Sequence, residues 1–338
     1  MTISDTTQFD VKPRDPTVSI IIPAYKVAAF MQETLESVFA QSFTDFEVIV
    51  INDGSPDTLD LEEAIQNYRG RIIYLKQSNQ GAGAARNAGL GVARGEFVAF
   101  LDGDDVWLPQ FLSEQLRLIR SDGGYDLVYA DAINFGDTHS GDRTNMEANP
   151  SHGEVTFRKL LCGECNIVTS SVLARREPIM RIGLFDERFV NSQDFDLWLR
   201  LAKEAKAKIT YQQKVLVRRR IYQGSLASDQ LRSFAGELAV LTSTRRRNDL
   251  TIEERETLEE TLRKRKATVE VLKGKQQLAI GDFKSAVESF AAANNYLRSM
   301  KLRIALLCLH IAPRMLQQVY RFWDNWFRGS NASGTSLG

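Results

Sequence analysis

The sequence predicts an α/β protein: a mostly parallel sheet flanked by helices, followed by an all-helical C-terminal region. Three observations predict it. Short apolar runs alternate with segments of helical periodicity between Val18 and Leu101. Polar or glycine-rich clusters follow the ends of those runs. Strand signals stop after Ser225.

Val18–Ile22 (VSIII) is β-branched, ends at Pro23, and reads as a strand buried on both faces. Met31, Leu35, Val38 and Phe39 then recur at helical spacing. Glu47–Ile51 is a second buried strand, closed by Asn52-Asp53-Gly54-Ser55. Asp60–Tyr68 reads as a helix and Ile72–Lys76 as a third strand. Ala82–Arg94 is Ala-rich and reads as helical despite its glycines. Glu96–Leu101 is a fourth strand, ended by Asp102-Gly103-Asp104-Asp105. Gly136–Gly153 reads as a mobile loop, and Glu187–Ala205 as a helix through Phe195, Leu197, Trp198 and Leu201. Glu253–Lys273 is a charged helix, and Lys275–Ala293 a helical hairpin broken at Gly281-Asp282. Met300–Phe327 is helical, basic and apolar, with Pro313 inside it.

With 43% hydrophobic and 25% charged residues, the 338-residue chain is neither a disordered chain nor a multi-span membrane protein. Three cysteines exclude a disulfide scaffold and fit a reducing, cytoplasmic setting. The start, MTISDTTQFD, lacks the basic and apolar stretches of a signal peptide. Charge is unevenly placed. Up to Ser225 there are 25 Lys and Arg against 31 Asp and Glu; from Leu226 onward, 18 against 12. An acidic first part and a basic tail suggest two jobs.

The clusters at strand ends are where ligands bind in parallel α/β sheets. Asp102 and Asp104, one glycine apart, can face one pocket and hold Mg²⁺ or Mn²⁺ against a diphosphate; the same residues also suit an acidic turn before a helix near Pro109. Asp53 reads either as a turn residue or as an acceptor for a base or ribose. Gly81–Asn87 (GAGAARN) lacks the third glycine of a dinucleotide fingerprint, and no acidic residue closes a ribose site about 20 residues on. Its small residues still let backbone approach a ligand, with Arg86 reaching a phosphate or carbonyl oxygen or else standing in solvent. Asp194 and Asp196, at i and i+2, cannot share a helix face: one should enter the pocket and the other cap or pair, and the motif reads either as a general base or as a helix N-terminal acid favoured by the dipole. Cys162-Gly163-Glu164-Cys165 is a lone CxxC with only His139 and His152 nearby, too little for a zinc site.

Together these segments resemble family 2 glycosyltransferases. VSIIIPAY (18–25), VIVINDGS (48–55), NQGAGAARNAG (79–89), FLDGDDVW (100–107) and QDFDLWLRL (193–201) occur in that family's order and spacing, over Thr17 to about Ser228. The resemblance implies a GT-A fold and transfer of one sugar, with inversion, from a nucleotide-diphosphate donor, a UDP-sugar being the first candidate. It implies that Pro23 and Tyr25 lie beside the nucleobase and that Asp53 reads it. Arg86 would contact base or diphosphate, and Asp102 ribose or base. Asp104 would bind the Mn²⁺ or Mg²⁺, and Asp194 would deprotonate the acceptor hydroxyl. Two departures stand out. Gln193 replaces an acid that many relatives carry, and Tyr222 stands where a histidine usually lies near metal and diphosphate. The signature and membrane helices of processive synthases are absent from the sequence. A nucleotidyltransferase and a non-catalytic scaffold are the rival classes. The first needs an early phosphate loop, which PAYK (23–26) is not, and the second has no need of four aligned carboxylates.

The expected organisation is a disordered tail (1–16), a catalytic domain (17–228), a helical region (229–328) and a second disordered tail (329–338). Ala279, Gly281, Phe283, Ala286 and Phe290 resemble one tetratricopeptide-like hairpin, expected to pack on the catalytic domain. From Arg298 onward six basic residues face one acid, with Trp323 and Trp326, beside an apolar run too short to span a bilayer. An anionic membrane surface on the cytoplasmic side, a second copy in a homodimer or the rest of the protein itself would cover it. The acceptor is expected to be a glycan or lipid-linked sugar of the cell envelope, and no nucleic acid is expected.

Overall fold

A computed structural model describes residues 15–136, 143–225 and 229–320. His139, Trp323, Trp326 and most of both expected tails fall outside those residues. The chain divides into two compact units, residues 1–135 with 141–220, and residues 136–140 with 221–338.

The first unit begins with β1 (Val18–Ala24), α1 (Ala28–Phe39), β2 (Phe46–Asp53), α2 (Thr58–Ala64), β3 (Ile73–Gln77), α3 (Ala82–Val92) and β4 (Phe97–Phe100). It continues through β5 (Val106–Trp107), α4 (Phe111–Ile119), β6 (Leu127–Phe135), α5 (Asn145–Ala148) and α6 (Phe157–Cys162). β7 (Val172–Arg175), α7 (Arg176–Arg181), α8 (Gln193–Lys203) and β8 (Ile209–Arg220) complete it. One eight-stranded sheet runs in the order β3-β2-β1-β4-β7-β6-β8-β5. The strands expected from the sequence, β3-β2-β1-β4, are all parallel. Beyond β4 the sheet is mixed, because β7 pairs antiparallel with both β4 and β6, and β5 antiparallel with β8.

Several boundaries differ from the sequence reading for physical reasons. β1 runs through Pro23, which stays in register with Ile51 of β2. The β4 pairing ends at Ile21, so the proline's missing N–H falls where β1 is paired on one side only. The stretch read as a mobile loop contains α5, which Thr144 and Glu147 close with a capping box. The helix expected from Glu187 starts only at Gln193, behind Ser192 in a left-handed conformation (φ 60°). Two glycines bring α3 close to its neighbours. A Cβ on Gly89 would lie 2.6 Å from Ile21 of β1, and one on Gly83 3.2 Å from Gln193. α1 buries Met31, Leu35 and Val38 against the sheet, as its periodicity predicts.

The second unit is helical: α9 (Gln230–Thr244), α10 (Ile252–Ile280), α11 (Phe283–Leu297), α12 (Met300–Ile311) and a further helix over 313–320. Gly281, at φ 87°, ends α10 in a left-handed cap, as the break in the sequence implies. The α10–α11 hairpin covers its apolar face within this unit, where the sequence reading has it pack on the catalytic domain. Leu278, Ala286, Phe290 and Ala293 form a core with Leu302 and Leu309 of α12. No described helix is long and apolar enough to cross a membrane.

Candidate functional site

The loops that leave β1, β2 and β4 converge at the carboxyl edge of the parallel strands. Tyr25, 43% exposed, follows Pro23 and presents its ring beside Lys26. The Lys26 N–H donates to Ser55 Oγ (2.7 Å) and the Ala28 N–H to Asp57 (3.1 Å), so the loop after β1 is fastened to the loop after β2. Gly54 adopts φ +62°, and a Cβ there would stand 2.5 Å from the backbone nitrogen of Asn79. The Asn-Asp-Gly-Ser turn is therefore also wedged against the loop after β3.

Asp53 is only 2% exposed. Its Oδ1 accepts from Gln77 Nε2 (2.8 Å) and the Gln80 N–H (2.9 Å), and its Oδ2 from the Gly81 N–H (2.8 Å). The carboxylate thus sits at the N-terminus of α3 and organises the approach to it. A carboxylate has about four acceptor positions, so one stays open.

Arg86 is not the solvated residue that one reading of its motif gives. It is 5% exposed, with Nη2 2.6 Å from Asp102 Oδ1 and its guanidinium 5.6 Å from the Phe185 ring centre. Its Nε is buried with no hydrogen-bond partner. Asp102 keeps a side chain 40% exposed. Gly103 lies on the end of β1, where a Cβ would meet Val27 at 2.9 Å and the Pro23 carbonyl at 3.1 Å. Asp104 is half-buried. Asp105 turns inward, accepting from Ser170 Oγ (2.6 Å) and the Arg220 N–H (2.8 Å). Burial pushes its carboxyl well above the usual range, and the neighbouring Asp104 and Asp102 add to the effect.

Among the described residues no cluster of three or more His, Cys, Asp or Glu could hold a metal. Asp102 and Asp104 still suit a hard cation that fills its shell from a diphosphate and water, since Mg²⁺ uses one or two protein carboxylates in such sites. Cys162 and Cys165 are free thiols, and burial raises both above the ordinary cysteine value.

Asp194, second residue of α8, accepts the Thr169 hydroxyl at Oδ2 (2.6 Å) and the Phe195 N–H at Oδ1 (2.8 Å). Asp196 faces away, 2.7 Å from Arg200. The i, i+2 pair is split between two environments, as expected, and burial raises Asp196 despite its partner.

The sequence reading missed the 3₁₀ turn Thr169–Ser171. Thr169 holds Asp194. Ser170 accepts the Asp102 N–H (3.2 Å) as well as donating to Asp105, and its carbonyl accepts Trp107 Nε1 (2.7 Å). Gln115 of α4 donates to the Ser171 carbonyl (2.7 Å). Arg220 was missed as well, and its Nε donates to the Asp104 carbonyl (2.9 Å). A short Thr-Ser-Ser ahead of an apolar run was the only local signal. In the second unit, Tyr222 begins a turn closed by the Ser225 N–H on its carbonyl (3.0 Å).

The model of glycosyl transferase family 2 matches residues 19–183. Over 67% of this chain and 86% of the other, the protein is 30% identical to the Escherichia coli UDP-Glc:α-D-GlcNAc-diphosphoundecaprenol β-1,3-glucosyltransferase WfaP. Among related glycosyltransferases of Rickettsia, the chain spans between 31% and 67% of their length. Staphylococcus aureus TarS 1-349 in complex with UDP-GlcNAc superposes with a TM-score of 0.60 at 20% identity, over 93% of this chain and 92% of that one. A Pyrobaculum calidifontis mannosyltransferase in complex with GDP-Man and Mn²⁺ gives 0.59 at 15% identity, over 96% and 90%. At these identities the structural likeness is one of fold.

Proposed function

Since the chain belongs to glycosyl transferase family 2 and carries the GT-A fold, we propose that it moves one sugar from a nucleotide-diphosphate donor to an acceptor hydroxyl with inversion. The observation that carries this reading is the Thr169–Ser171 turn. It ties Asp194 to the loop after β4 through the Asp102 N–H and the Asp105 carboxylate, so the base and the loop that carries Asp102 and Asp104 are held by one element. Asp194 takes the acceptor's proton, the freed oxygen bonds to the anomeric carbon, and the bond to the diphosphate breaks. Tyr25 offers a stacking face to the base, Asp53 its open acceptor position, and Asp102, steadied by Arg86, the ribose side. Asp104 with Asp102 would hold Mn²⁺ or Mg²⁺, which neutralises charge on the departing diphosphate when bound.

The donor is a UDP-sugar in this reading. The acceptor is a glycan or lipid-linked sugar in polysaccharide biosynthesis, and the protein works against the inner membrane surface. WfaP's printed diphosphoundecaprenol acceptor supports the lipid-linked class.

A panel of nucleotide-sugars, scored for nucleoside diphosphate release with Mn²⁺ or Mg²⁺ present, tests the reading. One donor should stand out. Asp194→Asn should retain donor binding while release falls about 10²–10⁴-fold. Release unchanged in Asp194→Asn would remove that residue as the base, and no release from any donor would remove the activity.

A further inference from the structure

We propose that the second unit holds a lipid-chain site. A cavity bounded by α10, α11, α12 and residues 313–320 takes one hydrocarbon chain of an anionic membrane lipid, whose head group lies against Lys275 and Lys301. The proposal rests on the membrane association proposed above, and the two can fail separately.

The cavity measures about 510 Å³, inside the roughly 300–1,000 Å³ range of ligand sites. Leu278, Phe290, Leu302, Leu316 and Val319 form much of its wall, and among the described residues no acidic one lines it. Lys275 and Lys301 are its charged lining residues. A site with an apolar barrel and two cations matches the two ends of an anionic amphiphile.

The outer surface of α12 points to the source of such a chain. Met300, Ile304, Leu307 and Ile311 are 67%, 54%, 60% and 74% exposed. Their spacing of four, three and four residues puts them on one stripe. The same helix gives Leu302 and Leu309 to the core, so it is apolar on two faces. Between Arg298 and Tyr320 there are four Lys and Arg and no Asp or Glu. An apolar stripe on a segment that carries cations and no acids suits an anionic bilayer surface. A protein partner would have to bring acidic side chains to the same cations, whereas an anionic lipid supplies chain and charge in one molecule.

The test uses the full chain in two assays. In the first, cis-parinaric acid, an anionic polyene chain that fluoresces in apolar surroundings, is titrated into the protein. In the second, the protein is pelleted with phosphatidylcholine vesicles with and without phosphatidylglycerol. Saturable probe binding is expected. Ala305→Trp, which fills the cavity, should weaken it at least about tenfold. The double variant Lys275→Glu, Lys301→Glu, altered only at its charges, should do the same while keeping its circular dichroism. Ile304→Asp with Leu307→Asp should abolish pelleting with the anionic vesicles and leave probe binding intact.

Absent probe binding, or binding indifferent to both cavity variants, overturns the site while leaving membrane association standing if pelleting persists. Probe binding without any pelleting overturns the membrane source. Probe binding that emerges only after removal of residues 321–338 assigns the cavity to the chain's own end. A dimer that Ala305→Trp dissolves assigns it to a second copy. Either of these last two outcomes overturns the lipid.

Discussion

Replacing Thr169 by valine would show how much catalysis depends on holding Asp194 still. The residue is 6% exposed, and valine matches its shape, so the change removes the hydroxyl without opening a cavity. The lost bond is an O–H donated to a carboxylate at 2.6 Å. Hydrogen bonds to charged groups contribute about 1.5–3 kcal/mol. At about 1.4 kcal/mol per tenfold, kcat should fall roughly 10–150-fold if the whole contribution serves to orient the base. With Asp194 as the proposed base, Thr169 would act as a positioning residue, so the effect belongs on kcat, and the KM for the donor should stay within about twofold. Nucleoside diphosphate release at saturating donor measures both. Thr169→Ser keeps the hydroxyl and should recover most of the rate, while thermal unfolding shows that each variant is folded. A valine variant with unchanged kcat, or a serine variant as impaired as the valine one, would refute the reasoning.

Asp104→Ala should abolish the metal-dependent part of nucleotide-sugar binding, read by calorimetry with and without Mn²⁺; unchanged heats would move the metal elsewhere. Gly54→Ala should cost about 1–2 kcal/mol for its left-handed backbone alone, and more because its Cβ would meet Asn79 at 2.5 Å. A lower denaturation midpoint checks it. Tyr222→His restores the residue usual at that place and should keep activity while sharpening its dependence on Mn²⁺; loss of turnover in a folded variant would give the tyrosine its own role. Tests of the C-terminal region need point substitutions. Deleting residues 300–338 would take Leu302 and Leu309 out of the core and uncover Leu278 and Phe290.

The parallel half of the fold was legible because its signals are local. A buried strand needs a run of apolar residues, and the loop after it needs turn formers, so β1 to β4 and the clusters at Asp53 and Asp102 declared themselves in short windows. The split between Asp194 and Asp196 followed from helical geometry alone. The Thr169–Ser171 turn did not, because its bonds to Asp102, Asp105 and Trp107 span 63 to 68 residues. Serine and threonine carry no pattern that says which distant group they will meet. The ion pair of Arg86 with Asp102 was hidden for the same reason: each motif suggested a ligand contact, and the fold spends part of both on each other. In the mixed half of the sheet β5 is two residues long, too short to show periodicity, and β8 is broken up by the polar runs Gln212-Gln213-Lys214 and Arg218-Arg219-Arg220.

One three-residue turn therefore carries two chemically separate duties. Its first side chain holds Asp194, the base of the proposed reaction, and its second holds the loop after β4, where that reaction would place the diphosphate. Variation at the two ends of the site is then epistatic. A substitution that reshapes the loop after β4 for another nucleotide or sugar shifts Ser170, and Thr169 moves with it. If the proposed roles hold, donor preference is coupled to the base, and a new donor specificity would call for paired changes across positions 102–105 and 169–171.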